Sequence, residues 1–93
     1  MRRNIHDHIQ QEFLDSKSVA ALVWLIERGR ELEFTYQDET YFISCDKSAR
    51  YVSLWCGENE QSFDTTEQLV EESTLKGKQF LDVWVDSEII TLF

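Results

Sequence analysis

Residues 31–63 read ELEFTYQDETYFISCDKSARYVSLWCGENEQSF, and their pattern underlies the fold prediction. From Glu31 onward, polar and apolar residues alternate as they do in strands that bury one face. Polar clusters at 38–39, 46–49 and 57–60 interrupt the alternation at short intervals. Strands spaced so closely must be joined by hairpins, because parallel strands need long crossover connections. The stretch therefore predicts a four-stranded antiparallel β-meander.

The positions of the turns predict which residues share a face of this sheet. We centre the turns on Asp38-Glu39, Lys47-Ser48 and Glu58-Asn59. This register pairs Phe34 with Ile43 and places Cys45 opposite Arg50. One face then collects the apolar residues Leu32, Phe34, Tyr36, Tyr41, Ile43, Cys45, Val52, Leu54, Cys56 and Phe63. Three independently placed turns thus agree on a single apolar face, which supports the meander.

Helical periodicity precedes the meander. Residues 1–15 are predicted to form an N-terminal arm or a short helix, and residues 16–93 a single α+β domain. A second helix, capped by Asp15 or Ser16, runs to about Arg28 and ends at Gly29.

Shorter elements follow the meander. Capping-box spacing between Asp64 and Glu67, or between Thr65 and Gln68, predicts a helix start. Beyond Gly77, residues 78–85 can form one or two helical turns, and residues 88–93 either an edge strand or a packed tail. The predicted fold class is α+β, with an N-terminal helix, a four-stranded antiparallel β-meander and one or two short C-terminal helices.

Four segments in order, at 31–36, 41–44, 62–70 and 77–84, carry a family resemblance. They read ELEFTY, YFIS, SFDTTEQLV and GKQFLDVW. The chain resembles a group of small, uncharacterised α+β proteins of Gram-positive bacteria over roughly residues 18–89. The resemblance implies this fold in a bacterial cytoplasm, and it transfers no site residue because none is established for the group.

Composition excludes several classes of protein. Hydrophobic residues make up 42% of the 93 residues, with three Gly, no Pro and two Cys, which argues against disorder, collagen-like structure and a disulfide scaffold. The longest apolar run, residues 19–26, is far shorter than the roughly 20 residues that span a bilayer. We therefore expect a cytoplasmic protein without membrane association. A net charge of −9 disfavours a general nucleic-acid binder.

No motif predicts an enzyme or a cofactor. The sequence has no glycine-rich phosphate loop, nucleophile elbow or His-Glu-x-x-His pattern. His6-Asp7-His8 is the one cluster with metal-ligand chemistry, and we interpret it as part of a solvated arm. Cys45 and Cys56 fall on the apolar face and are interpreted as small core residues. We predict no catalytic residue, no metal site and no cofactor.

The opposite face of the sheet is unusual, because it combines three aromatic residues with serines and acids. The predicted register places Phe42 beside Ser53 and Tyr51 beside Ser44. Such a face resembles a protein interface, where Tyr and Trp are common anchors. The candidate partner-binding residues are Phe42, Tyr51, Trp55, Glu31 and Glu33.

The occupant of this face stays open at the level of sequence. The N-terminal arm or the tail at residues 89–93 could cover it, a second copy could form a homodimer, or a protein partner could bind. Glu31 and Glu33 argue against an RNA-stacking surface. We predict a non-enzymatic interaction module.

Charge is distributed unevenly along the chain. Residues 1–30 carry a net charge of +1 and residues 31–93 a net charge of −10. This acidity supports an alternative function, an inhibitor or immunity-type protein that mimics nucleic acid towards a basic partner.

Overall fold

The protein is built around an antiparallel sheet with helices packed on one face, an α+β fold as predicted. The computed structural model describes residues 4–46 and 48–93. Within these residues the elements in chain order are α1 (Ile5–Ser16), α2 (Val19–Glu27), β1 (Leu32–Tyr36), β2 (Glu39–Asp46), β3 (Tyr51–Cys56), β4 (Asn59–Phe63), α3 (Thr66–Glu72), β5 (Thr74–Leu75), β6 (Lys78–Gln79), α4 (Phe80–Val83) and β7 (Glu88–Leu92).

The N-terminal segment forms a helix rather than an extended arm. The Asn4 side chain accepts a hydrogen bond from the Asp7 amide at 2.8 Å and caps α1. Helix α1 continues through Ser16, so the cap of α2 is Ser18 and not the predicted Asp15 or Ser16. Helix α1 packs against α2 and buries Phe13 completely in the common core.

The three hairpins keep the predicted faces but differ from the predicted register. Phe34 pairs with Tyr41 rather than Ile43, and Cys45 pairs with Val52 rather than Arg50. The β3–β4 pairing is also displaced, since Phe63 pairs with Val52 instead of Leu54, the partner that a turn centred on Glu58-Asn59 predicts. Each pairing is displaced by two residues, and a displacement of two leaves every side chain on its original face. The predicted apolar face is therefore the face that packs against the helices.

The first turn shows why the register differs. Its central residues are Gln37 and Asp38, with φ angles of 47° and 66°, instead of Asp38 and Glu39. Two left-handed residues make a type I′ turn, whose twist matches that of the flanking strands. Glutamine is not a residue that predicts this conformation, so the sequence pattern placed the turn one residue late.

Among the described residues the sheet has five strands, in the order β4-β3-β2-β1-β7, rather than the predicted four. The C-terminal segment β7 pairs antiparallel with β1, with a register shift between Glu33 and Phe34. Of the two outcomes predicted for residues 88–93, the edge strand is the one that forms. It satisfies the backbone groups on the free side of β1 and buries Ile89 and Leu92 partly against the core.

The helical part of the segment after the meander is shorter than predicted. Thr65 caps α3 by accepting from the Gln68 amide at 3.0 Å. Lys78 and Gln79 then pair with residues 74–75 in a small ladder, so helix α4 starts only at Phe80. A 3-10 turn, Trp84–Asp86, follows α4.

An aromatic cluster joins this segment to the sheet. The Phe34 ring meets the edges of Trp84 and Phe80 at centroid distances of 5.3 Å and 6.1 Å. Lys17 Nζ donates to the carbonyls of Trp84 and Ser87, and Trp84 Nε1 donates back to the Lys17 carbonyl at 2.9 Å. These reciprocal bonds lock the end of α1 onto the C-terminal segment. In the part of the chain that the structure describes, every helix is too short or too polar to cross a bilayer.

Candidate functional site

The solvent side of the sheet, which we call the outer face, carries a pair of aromatic residues at its centre. Phe42 on β2 is the direct cross-strand partner of Trp55 on β3. Glu33 pairs with Phe42 on one side and Glu60 with Trp55 on the other. This row across the sheet therefore consists of a carboxylate, two aromatic rings and a second carboxylate, in the order Glu33, Phe42, Trp55, Glu60. This pairing replaces the predicted one, in which Phe42 lay beside Ser53.

A row of three serines crosses the sheet beside the aromatic pair. Ser44 pairs with Ser53, and Ser53 with Ser62. Ser53 is only 1% exposed, and its Oγ donates to Glu60 Oε2 at 2.5 Å. Ser62 Oγ donates to the same oxygen at 2.9 Å. The two hydroxyls hold the Glu60 carboxylate in place over the serine row.

Tyr51 and Trp55 stand on either side of this serine row. They are four residues apart on β3 and share the outer face, which separates their Cα atoms by about 13 Å at ~3.3 Å per residue. Because Ser53 between them is small, a depression of about 510 Å³ opens there, which we call the outer cleft. Both rings are half-buried.

The rim of the outer cleft is predominantly acidic. Glu31, Asp46 and Glu60 contribute carboxylates, and Arg28 contributes the one basic side chain among the lining residues that the structure describes. The Arg28 guanidinium lies 3.6 Å from the centroid of the Trp24 ring, and its Nη1 donates to the Trp24 carbonyl at 3.2 Å. The lining therefore presents more negative than positive charge to an incoming ligand.

The structure brings three of the five predicted site residues to this cleft. Glu31, Tyr51 and Trp55 line it. Phe42 and Glu33 lie on the same face but outside the cleft lining, in the row that leads away from Trp55 towards β7. Tyr51 pairs with Asp46, whereas the predicted register placed it beside Ser44.

The sequence pattern missed Glu60. It assigned residues 57–60 to a turn, whereas the turn consists of Gly57 and Glu58 and leaves Glu60 within β4. The signal that could have placed it is Gly57, whose φ of +59° suits the first central position of a type II′ turn. A two-residue turn starting at Gly57 puts Glu60 on the outer face.

Residues 1–3 of the predicted arm lie outside the described residues; of the parts that the structure describes, neither segment predicted as an intramolecular cover lies across the outer face. Helix α1 packs on α2, on the opposite side of the sheet, and β7 lies in the plane of the sheet beside β1. The chain end touches the outer face at Phe93, whose ring meets Phe42 edge-on at a centroid distance of 5.9 Å. Phe93 itself is 55% exposed, so the contact shields one side of Phe42.

The two cysteines are free thiols on the core side of the sheet. Cys56 Sγ donates to Glu39 Oε2 at 3.5 Å. Burial, together with the Glu39 carboxylate, raises the pKa of the Cys56 thiol above its ordinary value of 9.0. A raised pKa disfavours the thiolate, which is the nucleophilic form. The geometry thus favours a packing role for Cys56.

His6 and His8 do not converge, because the segment that holds them is helical. Side chains two positions apart on a helix point in different directions. His6 Nε2 lies 3.0 Å from Arg30 Nη1, and its ring lies 5.6 Å from Trp24, whereas His8 is exposed. Across residues 4–46 and 48–93, no group of three or more potential metal ligands is brought together.

A scan against protein-family models and searches of curated proteins and of solved structures found no match. The resemblance to a group of Gram-positive bacterial proteins therefore stays a prediction.

Proposed function

We propose that this protein is a non-enzymatic interaction module whose outer cleft receives a basic segment of a partner protein. The observation that carries the proposal is the composition of the cleft: two half-buried aromatic residues lie on either side of the serine row, and three carboxylates line the same cleft. Most of the cleft lining belongs to the outer face of the sheet, and Arg28 and Gly29, which follow α2, contribute to it as well.

The aromatic rings favour a flat or cationic side chain. Tyr51 and Trp55 both line the cleft, one on each side of the serine row. A guanidinium or ammonium group is attracted to the face of such rings, most strongly to Trp, and aromatic residues dominate many interface energies. An arginine side chain between them would also lie near hydroxyl acceptors of the serine row.

The negative charge of the cleft also favours a cationic ligand. The carboxylates of Glu31, Asp46 and Glu60 surround the cleft, and the whole chain carries −9. A negative field accelerates encounter with a basic partner and rejects acidic ones. A segment rich in Arg is thus the occupant that the cleft best complements.

The proposal is tested with a peptide of alternating arginine and serine, titrated into the isotopically labelled protein and followed by NMR. We expect shifts centred on Ser44, Ser53 and the Trp55 indole, since these groups line or floor the cleft. The same peptide with citrulline in place of arginine is the matched probe, because it keeps the shape and removes the charge. It should bind at least about tenfold more weakly.

Two tryptophan substitutions on the outer face provide matched variants. Ser44→Trp fills the cleft and should weaken the arginine peptide at least tenfold, whereas Thr35→Trp lies on the same face outside the cleft and should not. Equal binding by the two variants would contradict the proposal. So would a concentration-dependent dimer in sedimentation that Ser44→Trp abolishes, because the occupant would then be a second copy of the chain.

A further inference from the structure

A second cavity lies at the same end of the sheet, on the side of the helices. It has a volume of about 510 Å³, and we call it the end cavity. It is bounded by Glu27 at the end of α2, by the start of β3, and by Asp64 and Thr65 just before α3. The function proposed for the outer cleft makes no use of it.

The two cavities differ in chemistry. The surface of the end cavity is mostly apolar, and its lining includes Val52 and Thr66, which are 2% and 3% exposed. The surface of the outer cleft is mostly polar. An aliphatic side chain entering the end cavity would remove apolar surface from water on both partners, whereas a charged one would lose hydration.

The two cavities meet at one cross-strand pair. Asp46 and Tyr51, the last pair of the β2–β3 ladder, line both cavities, as does Cys45. A ligand crossing this pair therefore reaches the outer cleft on one side and the end cavity on the other. An extended chain advances ~3.3 Å per residue, so side chains one to three positions apart can enter the two cavities.

The rim of the end cavity has the same sign of charge as the outer cleft. Glu27, Asp46 and Asp64 contribute carboxylates, and Arg50 contributes a basic group. A segment with basic character is thus complementary to both rims, and the apolar lining adds a requirement for one aliphatic residue.

We infer that the partner segment is bipartite: a basic residue occupies the outer cleft, and an aliphatic residue one to three positions away occupies the end cavity. This inference rests on the proposed function, and it specifies which partner sequences the module would select. It predicts that basic charge alone gives only part of the affinity.

The test uses blocked serine-rich octapeptides with one arginine and one leucine placed one, two or three positions apart, each paired with its leucine-to-alanine counterpart. Dissociation constants are measured by NMR titration. For at least one spacing, we expect leucine to tighten binding at least fivefold over alanine, with new shifts at Val52 and Thr66.

Glu27→Trp obstructs the end cavity from an exposed helix position, and Glu71→Trp is its matched control on α3 outside the lining. Glu27→Trp should abolish the preference for leucine and leave the alanine peptide unaffected, whereas Glu71→Trp should preserve the preference. Circular dichroism and thermal melting verify that both variants fold.

The outcomes separate the inference from the proposed function. If the arginine peptides shift the NMR resonances of the outer cleft, but the leucine and alanine peptides bind equally tightly at every spacing, the bipartite ligand is wrong. The proposal of a basic partner is then unaffected. If Glu27→Trp weakens binding of the leucine and alanine peptides alike, the end cavity does not recognise the leucine side chain. If no arginine peptide binds at the outer cleft, both proposals fail.

Discussion

Tyr41 shows how one buried side chain depends on its surroundings. Its ring stacks on Phe34 at a centroid distance of 5.5 Å, and only 3% of the residue is exposed. The phenol donates to Glu39 Oε2 at 3.2 Å. Burial, and after it the Glu39 carboxylate, raises the pKa of Tyr41 well above its ordinary value of 10.0. The folded protein therefore holds this proton at a pH where the unfolded chain releases it.

This difference predicts an alkaline loss of stability. Below pH ~10 the phenol is protonated in both states, and its contribution to the free energy of unfolding is complete. Above that pH the unfolded state binds fewer protons than the folded state, so the free energy of unfolding falls as the pH rises. Tyr41→Phe should lose about 1 kcal/mol at neutral pH, from the missing hydrogen bond. It should also show a shallower alkaline decline in urea denaturation across this range.

The control for this prediction is Tyr51→Phe, which removes a phenol from the outer face and should keep the alkaline decline of the natural protein. Lys17 acts in the opposite sense, because burial lowers the pKa of its ammonium group below 10.5 and its contribution to stability rises with pH. The comparison is therefore between variants, and an unchanged decline in Tyr41→Phe would contradict the assignment to Tyr41.

The hairpin turns determine the register of the sheet at the scale of elements. In the β1–β2 turn both Gln37 and Asp38 have positive φ, at 47° and 66°. Non-glycine residues are strained in this region, so Asp38→Gly should stabilise the protein by about 0.5–1 kcal/mol. The measurement is the urea midpoint of unfolding at neutral pH.

The β3–β4 turn provides the matched control. Its second central residue, Glu58, is not among the described residues with positive φ. Glycine there relieves no strain and only makes the unfolded chain more flexible, so Glu58→Gly should be neutral or destabilising. Stabilisation by Glu58→Gly and not by Asp38→Gly would contradict the turn assignment.

The net negative charge is a property of the whole molecule. It supports the alternative hypothesis, in which the whole acidic surface mimics nucleic acid and binding does not depend on the outer cleft. Both hypotheses predict that binding of the arginine peptide weakens as salt rises, because screening shortens the range of the field to ~3 Å at 1 M. Affinity unchanged between low and high salt would count against both.

Paired charge removals distinguish the two. Replacing Glu31 and Glu60 by Gln removes two carboxylates from the outer cleft, whereas replacing Glu71 and Glu72 removes two exposed carboxylates from α3. A cleft-specific module should lose at least fivefold in peptide affinity with the first pair and little with the second. A mimic that presents charge over its whole surface should lose similar affinity with either pair. Isothermal titration at constant salt measures the difference.

The fold class and the division of each strand into an inner and an outer face follow from local patterns of residues. Alternation with a period of two is local information, and displacing a pairing by two residues does not alter it, so Phe42, Tyr51 and Trp55 lie on the predicted face. The capping motif at Thr65 is equally local, and the structure shows it.

Which of these residues contact one another depends on how the strands pair. The turn at Gly57-Glu58 placed Glu60 beside Trp55, and the pairing of β2 with β3 placed Phe42 on the other side of Trp55. The pairing of β7 with β1 joins segments more than fifty residues apart, which no local pattern reports. The outer cleft forms because the small, buried Ser53 separates the large rings of Tyr51 and Trp55. Side chains from three parts of the chain complete its lining. Such a site depends on long-range packing, whereas periodicity records only which side of a strand each residue occupies.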